Sequence, residues 1–152
     1  MKMDVNKALW ENCKVGNVEE VRRALETGAD PNSSNEGMSC LMIAAEENHA
    51  EVVSLLLDQP NIEVNLAADH DETALHYACI YNSEAALRRL LSAPGLDLHA
   101  KYLAGGGFGF TPIMFAVSHH ALECVRLLSE VDEVDLDCKF PAHMDHASLE
   151  EW

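Results

Sequence analysis

The sequence predicts an all-α fold of stacked helix-turn-helix units, because two apolar series recur along the chain at the same intervals. The two series are Leu9, Leu41, Leu75 and Ile113, and Val21, Val53, Leu87 and Val125. Both advance by 32, 34 and 38 residues, and a pair of mostly small residues follows each member of the first series. A period near 33 with two helices per unit is typical of a solenoid, whose units bury their apolar faces only against one another.

The first two units are predicted from a helix-ending glycine and an apolar stripe. Gly28 suits the end of a helix, where the backbone adopts positive φ. In the second unit, the small pair Ala44-Ala45 permits close helix packing. Five of the six residues from Val52 to Leu57 are apolar and form a wide stripe after the polar turn Asn48-His49.

The last two units are predicted to begin at threonines. Thr73 and Thr111 stand just before helical segments, where a hydroxyl can cap free backbone N–H groups. Pro112 suits the first helical turn, which does not need its missing N–H. Residues 147–152 read as the start of a fifth unit that stops early, and are either a cap or part of a longer array.

Several motifs agree in order and spacing with one known repeat. Thr73-Ala74-Leu75-His76-Tyr77-Ala78 is close to T-P-L-H-x-A, Thr111-Pro112-Ile113 repeats its opening, and residues 28–32 read G-A-D-P-N. Over about residues 6–140 the chain resembles the ankyrin-repeat family. The resemblance implies one domain (1–152) with repeats near 6–36, 37–70, 71–108 and 109–140 and a stub at 141–152. It also implies a non-enzymatic adaptor or scaffold that binds proteins.

Composition excludes several classes of protein. The chain of 152 residues is 48% hydrophobic but has no apolar run long enough for a membrane span, and Met1-Lys2-Met3-Asp4 lacks the apolar core of a signal peptide. Five cysteines without metal-like doublets argue against a disulfide framework and for a reducing compartment, the cytoplasm or nucleus. Cys13 and Cys79 occupy small-residue positions and are predicted to be buried. No cofactor and no catalytic group is predicted.

The negative charge is concentrated in one part of the chain. The net charge is −16, and between Arg23 and Arg88 twelve Asp or Glu residues occur without a single Lys or Arg. Such a surface repels nucleic acid and attracts basic protein segments. The alternative is that the acidic residues serve only solubility.

The resemblance also implies where a partner would bind, because finger loops and the inner face of each first helix line a concave groove in that family. The partner-binding residues predicted in this way are Glu36, Met38, Glu46, Glu47, Asp69, His70, Glu72, Ile80, Tyr81, Phe108, Phe110 and His119. The groove is then acidic with an apolar island at Ile80 and Tyr81, which favours a basic, partly apolar partner segment. The protein is expected to be a monomer, with edge-mediated dimerisation as the alternative.

The third finger departs from the pattern through a glycine-rich segment, Ala104–Phe110. No Lys-Ser or Lys-Thr follows it, so it is not a phosphate-binding loop. Phe108 and Phe110 either contact a partner or fold back onto their own repeat.

Two further readings remain open at this stage. Cys138, His143, Asp145 and His146 have ligand types that suit zinc or copper, although their spacing matches no known closed site, so a metal-binding protein is one rival. A structural spacer or a fragment of a longer array is another. The resemblance also places Asn32, Asn65 and His99 where asparaginyl hydroxylases modify ankyrin repeats, and a hydrogen-bonded turn residue is the preferred reading there.

Overall fold

The computed structural model describes residues 4–103 and 109–137, and within them the chain forms four pairs of antiparallel helices. The pairs are α1 (Val5–Val15) with α2 (Val18–Glu26), α3 (Cys40–Glu46) with α4 (Ala50–Leu57), α5 (Ala74–Ile80) with α6 (Glu84–Leu91), and α7 (Pro112–Ser118) with α8 (Leu122–Ser129). Two short strands, β1 (Ser34–Asn35) and β2 (Met38–Ser39), form a hairpin between the first two pairs. The all-α ankyrin-type solenoid predicted from the sequence is confirmed.

The helices form two layers. Each first helix packs against the first helix of the next pair, and each second helix packs against the next second helix. Leu9, Leu41, Leu75 and Ile113 are all buried between the layers, as their regular spacing predicts. One continuous apolar core therefore runs along the stack. None of the helices in the described residues is long and apolar enough to cross a membrane.

The first helices start in three different ways. Ser39 Oγ accepts the Met42 N–H at 3.2 Å, while at α5 the His76 ring accepts the Thr73 N–H at 3.1 Å. The expectation that the Thr111 hydroxyl caps α7 is wrong, because its Oγ1 is buried without a hydrogen-bond partner in residues 4–103 and 109–137. Pro112 starts that helix instead, through its fixed φ and its lack of an N–H that needs capping.

Polar side chains connect successive repeats at the base of the fingers. Asn32 donates to the Asn61 carbonyl and accepts the Glu63 N–H, both at 2.8 Å. Asn65 repeats this arrangement at 2.7 Å with Gly95 and Asp97. His99, at the corresponding position, makes only one such hydrogen bond among the described residues: its Nε2 accepts the Asp135 N–H at 3.3 Å. The reading of these residues as hydrogen-bonded turn residues is thus confirmed, and each bond reaches the next repeat.

Three fingers project from the same edge of the stack. The first is the hairpin of β1 and β2, whose tip residues Glu36 and Gly37 both have positive φ, as a two-residue hairpin loop requires. In the second, residues 66–72, the Ala68 N–H donates to the Glu72 carbonyl at 2.8 Å. In the third, Tyr102 and Phe110 pair as an antiparallel bridge. The Leu103 N–H donates to the His70 carbonyl and joins the third finger to the second.

The four cysteines in the described residues are reduced and fully buried. Cys13 and Cys79 occupy the small-residue positions of α1 and α5, as predicted. The Cys40 thiol and burial both raise the pKa of Cys13, and the Cys124 thiol and burial act in the same way on Cys79. Each thiol pair therefore bridges two neighbouring repeats inside the core.

Candidate functional site

Two tyrosines, Tyr77 on α5 and Tyr81 at its C-cap, are the central side chains of the candidate site. Tyr77 and Tyr81 are four residues apart, so they project from the same side of the helix. Tyr77 is half-buried, whereas Tyr81, which ends the helix, is 55% exposed. Tyr81 was predicted to bind a partner. Tyr77 was not predicted, although its spacing of four residues from Tyr81 indicates that the two side chains share one face of the helix.

Several carboxylates lie close enough to both tyrosines to raise their pKa values. Burial raises the pKa of Tyr77 to about 12, with further contributions from Glu72 and Glu46. Burial also raises the pKa of Tyr81, and there the nearby charges are those of Glu46 and Glu47. Glu46 and Glu47 come from the end of α3, and Glu72 comes from the second finger. The fold thus gathers side chains from two repeats around one pair of tyrosines.

The acidic residues repel one another within this patch. Burial raises the pKa of Glu46, the charge of Glu47 raises it further, and Lys14 opposes the shift. Asp69, on the second finger, also lies close enough to raise the pKa of Tyr77. We refer to Glu46, Glu47, Asp69, Glu72, Tyr77 and Tyr81 together as the acidic tyrosine patch.

Ion pairs in the described residues lie away from this patch. They join Lys7 to Glu11, Arg23 to Glu20, Arg88 to Glu84, and Arg126 to Glu84, Glu123 and Glu130. Lys14, the cation that affects Glu46, lies over the Trp10 ring at 5.5 Å from its centroid. The four carboxylates of the patch therefore have no salt-bridge partner among residues 4–103 and 109–137.

Three other predicted residues, His70, Phe110 and His119, belong to an aromatic cluster around Phe115. The rings of Tyr102, Phe110, His76 and His119 lie 5.3, 5.5, 5.5 and 5.8 Å from that of Phe115. His70 meets Tyr102 edge-on at 6.4 Å. Burial and the charge of Glu72 raise the pKa of Tyr102, so this aromatic cluster adjoins the acidic tyrosine patch. Tyr102 was missed because its position in the finger only becomes apparent from its pairing with Phe110.

Two predicted aromatic residues make contacts within the stack. Phe110 is half-buried against Phe115, and its carbonyl accepts a hydrogen bond from His76 Nε2 at 3.2 Å. His119 is also half-buried, with its Nδ1 3.1 Å from the Phe115 carbonyl. The fold-back reading therefore holds for Phe110. Phe108 lies outside the described residues.

The remaining predicted residues lie on the first finger and at the end of α5. Glu36 is exposed at the tip of the first finger, and a Cβ atom placed on the adjacent Gly37 would lie 3.7 Å from Asp69 Oδ2. Met38 is half-buried and its carbonyl accepts the Trp10 Nε1–H at 2.8 Å. Ile80 is half-buried and packs against the core. Met38 and Ile80 are thus partly buried, and Glu36 is exposed.

The part of the chain that the structure describes contains no candidate metal site. No group of three or more His, Cys, Asp or Glu side chains converges there in a way that could hold an ion. A cleft of about 370 Å³ opens between the last two repeats beside Asp97, His99 and Glu133, without such a group. The predicted cluster of Cys138, His143, Asp145 and His146 lies outside the described residues.

Comparisons with known proteins agree with this architecture. A family model described as ankyrin repeats, in three copies, matches residues 2–68 and 63–140. The human transient receptor potential cation channel subfamily A member 1 is 32% identical over 117 residues, which are 76% of this chain and 10% of that protein. The mouse SMC5-SMC6 complex localization factor protein 1 is 44% identical over 66 residues, 43% of this chain and 6% of that protein.

A third relative is mouse ankyrin repeat domain-containing protein 40, which is 45% identical over 51 residues, 32% of this chain and 14% of that protein. The chain thus spans a small part of the length of the curated relatives that it matches. Ankyrin repeats are generally protein–protein interaction modules without enzymatic activity. On the matched repeats and the observed stack of helix pairs, this chain belongs to the ankyrin-repeat family.

Proposed function

We propose that the protein is an adaptor whose concave groove binds a basic, partly apolar segment of a partner protein. The observation that carries the proposal is Tyr81, a large aromatic side chain that is 55% exposed beside Glu46 and Glu47. Tyrosine is among the residues enriched in binding hot spots, where an aromatic side chain supplies much of the binding free energy. We place this activity in the cytoplasm or nucleus, where buried reduced cysteines are stable.

The distribution of charge supports the same proposal. The arginines of the described residues all lie on second helices: Arg22, Arg23, Arg88, Arg89 and Arg126. The four carboxylates of the acidic tyrosine patch, which make no salt bridge within residues 4–103 and 109–137, lie instead at the end of α3 and on the second finger. The negative charge of these carboxylates would attract a basic segment, and contacts with Tyr81 and the neighbouring apolar surface would then hold it.

The test uses a fluorescein-labelled amphipathic peptide of lysine, leucine and alanine, with a counterpart that carries glutamate in place of lysine. Fluorescence anisotropy would measure the affinity of each for the wild type and for a Tyr81→Ala, Glu47→Lys double variant. We expect the wild type to bind the basic peptide, added salt to weaken binding, and the double variant to lose roughly tenfold in affinity.

Glu26→Lys is the matched control, because Glu26 is an exposed residue at the end of α2, away from the groove. It makes the same charge reversal as Glu47→Lys and is expected to bind nearly as well as the wild type. Equal binding by the double variant and the wild type would show that the acidic tyrosine patch is not the binding surface.

A further inference from the structure

We infer that the acidic tyrosine patch accepts an arginine side chain of the partner, in preference to lysine, between Glu46 and the rings of Tyr77 and Tyr81. The inference rests on the proposed function, since it names the chemical group that the groove recognises. It would give the groove a selectivity that net charge alone does not provide.

Three elements contribute side chains to the patch. Tyr77 and Tyr81 contribute one face from α5. Glu46 and Glu47 stand at the end of α3, which packs directly against α5. Glu72 and Asp69, on the second finger, also lie close enough to Tyr77 to raise its pKa. The Ser83 hydroxyl, two residues after Tyr81, donates to the Glu46 carbonyl at 3.0 Å, so the ends of α3 and α5 meet here. A side chain that binds at this point would contact the exposed Tyr81 ring and carboxylate oxygens together.

The electrostatic environment at this point favours a cation. None of the four carboxylates is salt-bridged within residues 4–103 and 109–137. The helices α3 and α5 also end here, at Glu46 and Ile80, so their carbonyl ends add partial negative charge. Burial is the main cause of the raised pKa values of Glu46 and Tyr77, and the neighbouring carboxylates raise both further. An incoming cation would relieve the mutual repulsion of these groups.

The combination of rings and carboxylates distinguishes guanidinium from ammonium. A guanidinium group is planar, stacks on aromatic faces and binds a carboxylate through two parallel N–H donors. An ammonium group is a compact, strongly hydrated charge that loses more hydration on entering a half-buried site. Glu46 is half-buried, and Tyr81 is exposed enough to offer its ring to a stacking partner. Both features favour arginine.

The experiment compares two versions of the basic amphipathic peptide with equal charge, one with arginine and one with lysine at every basic position. Affinity for the wild type, Tyr81→Ala, Tyr81→Phe, Glu46→Gln and the control Glu26→Gln would be measured by anisotropy, after circular dichroism confirms that each variant is folded. We expect the wild type to bind the arginine peptide about fivefold more tightly. The ratio should fall towards one in Tyr81→Ala and Glu46→Gln and persist in Tyr81→Phe and Glu26→Gln.

The outcomes separate this inference from the proposed function. Equal affinity of the wild type for both peptides, with binding still lost in the Tyr81→Ala, Glu47→Lys double variant, would overturn the preference for arginine and leave the groove in place. An arginine preference that survives unchanged in Tyr81→Ala and Glu46→Gln would also overturn it, because the selectivity would then arise elsewhere. Binding of neither peptide would remove the proposed function itself.

Discussion

The buried side chain of His76 has a defined protonation state. The Thr73 N–H donates to His76 Nδ1 at 3.1 Å, so the ring proton resides on Nε2, which donates to the Phe110 carbonyl at 3.2 Å. A second proton on Nδ1 would face the Thr73 N–H and break that bond. Burial, which outweighs the opposing hydrogen bonds, lowers the pKa of His76. This histidine is therefore a neutral structural link between the third and fourth repeats.

Because the unfolded chain protonates His76 near pH 6.5 and the folded chain only at lower pH, we expect the free energy of unfolding to decrease as pH falls below about 6.5. Imidazole ¹⁵N chemical shifts would show the Nε2–H tautomer in the folded protein. A His76 ring that titrates at or above the pKa of an unfolded-chain histidine would contradict this account.

The finger-base residue differs between repeats in a way that predicts a stabilising substitution. Asn32 and Asn65 each make two hydrogen bonds to the next repeat, and the His99 ring makes one longer bond. We expect His99→Asn to restore the second bond and raise the free energy of unfolding by about 1 kcal/mol, measured by urea denaturation. Asn65→His is the reverse control and should destabilise. Unchanged or lower stability of His99→Asn would show that the two-bond link does not transfer.

Among the helices, the N-cap residues Ser39 of α3 and Thr111 of α7 are expected to contribute differently to the stability of the protein. Ser39 Oγ caps α3, whereas the buried Thr111 hydroxyl makes no hydrogen bond in the described residues. We expect Ser39→Ala to lower the thermal midpoint by an amount equivalent to about 1 kcal/mol and Thr111→Val to leave it unchanged or raise it. Comparable losses in both variants would indicate that the Thr111 hydroxyl has a partner after all.

The helices could be predicted from the sequence and the contacts of the fingers could not. Apolar spacing and Gly28 give the helix pairs, since burial of one face repeats in every unit. The third finger was predicted only as a glycine-rich loop, because the pairing of Tyr102 with Phe110 depends on residues eight positions apart meeting across a turn. The acidic side of the groove was predicted from Glu46, Glu47 and Tyr81, but Tyr77 was treated as part of a repeat motif and not as a surface residue.

Across the whole molecule, a pair of buried thiols lies at the interface between the first and second repeats and another at the interface between the third and fourth. Cys13 and Cys40 lie between the first and second repeats, and Cys79 and Cys124 between the third and fourth, all fully buried. Each repeat is stabilised by its neighbours, so these thiols become accessible only when an interface opens. We expect N-ethylmaleimide, followed by peptide mass spectrometry, to leave all four unmodified in the native protein and to label all four in urea. Rapid native labelling of any of the four would show that its interface opens readily.

The measurement that tests the binding account most directly is a map of amide chemical-shift changes in ¹⁵N-labelled protein as the lysine-containing amphipathic peptide is added. The account predicts that the largest changes cluster at Glu46, Glu47, Tyr77, Tyr81 and residues 69–72 and that added salt reduces them together. It also predicts small changes on the arginine-bearing second helices. Largest changes on the second helices, or no changes in the acidic tyrosine patch at saturation, would contradict it.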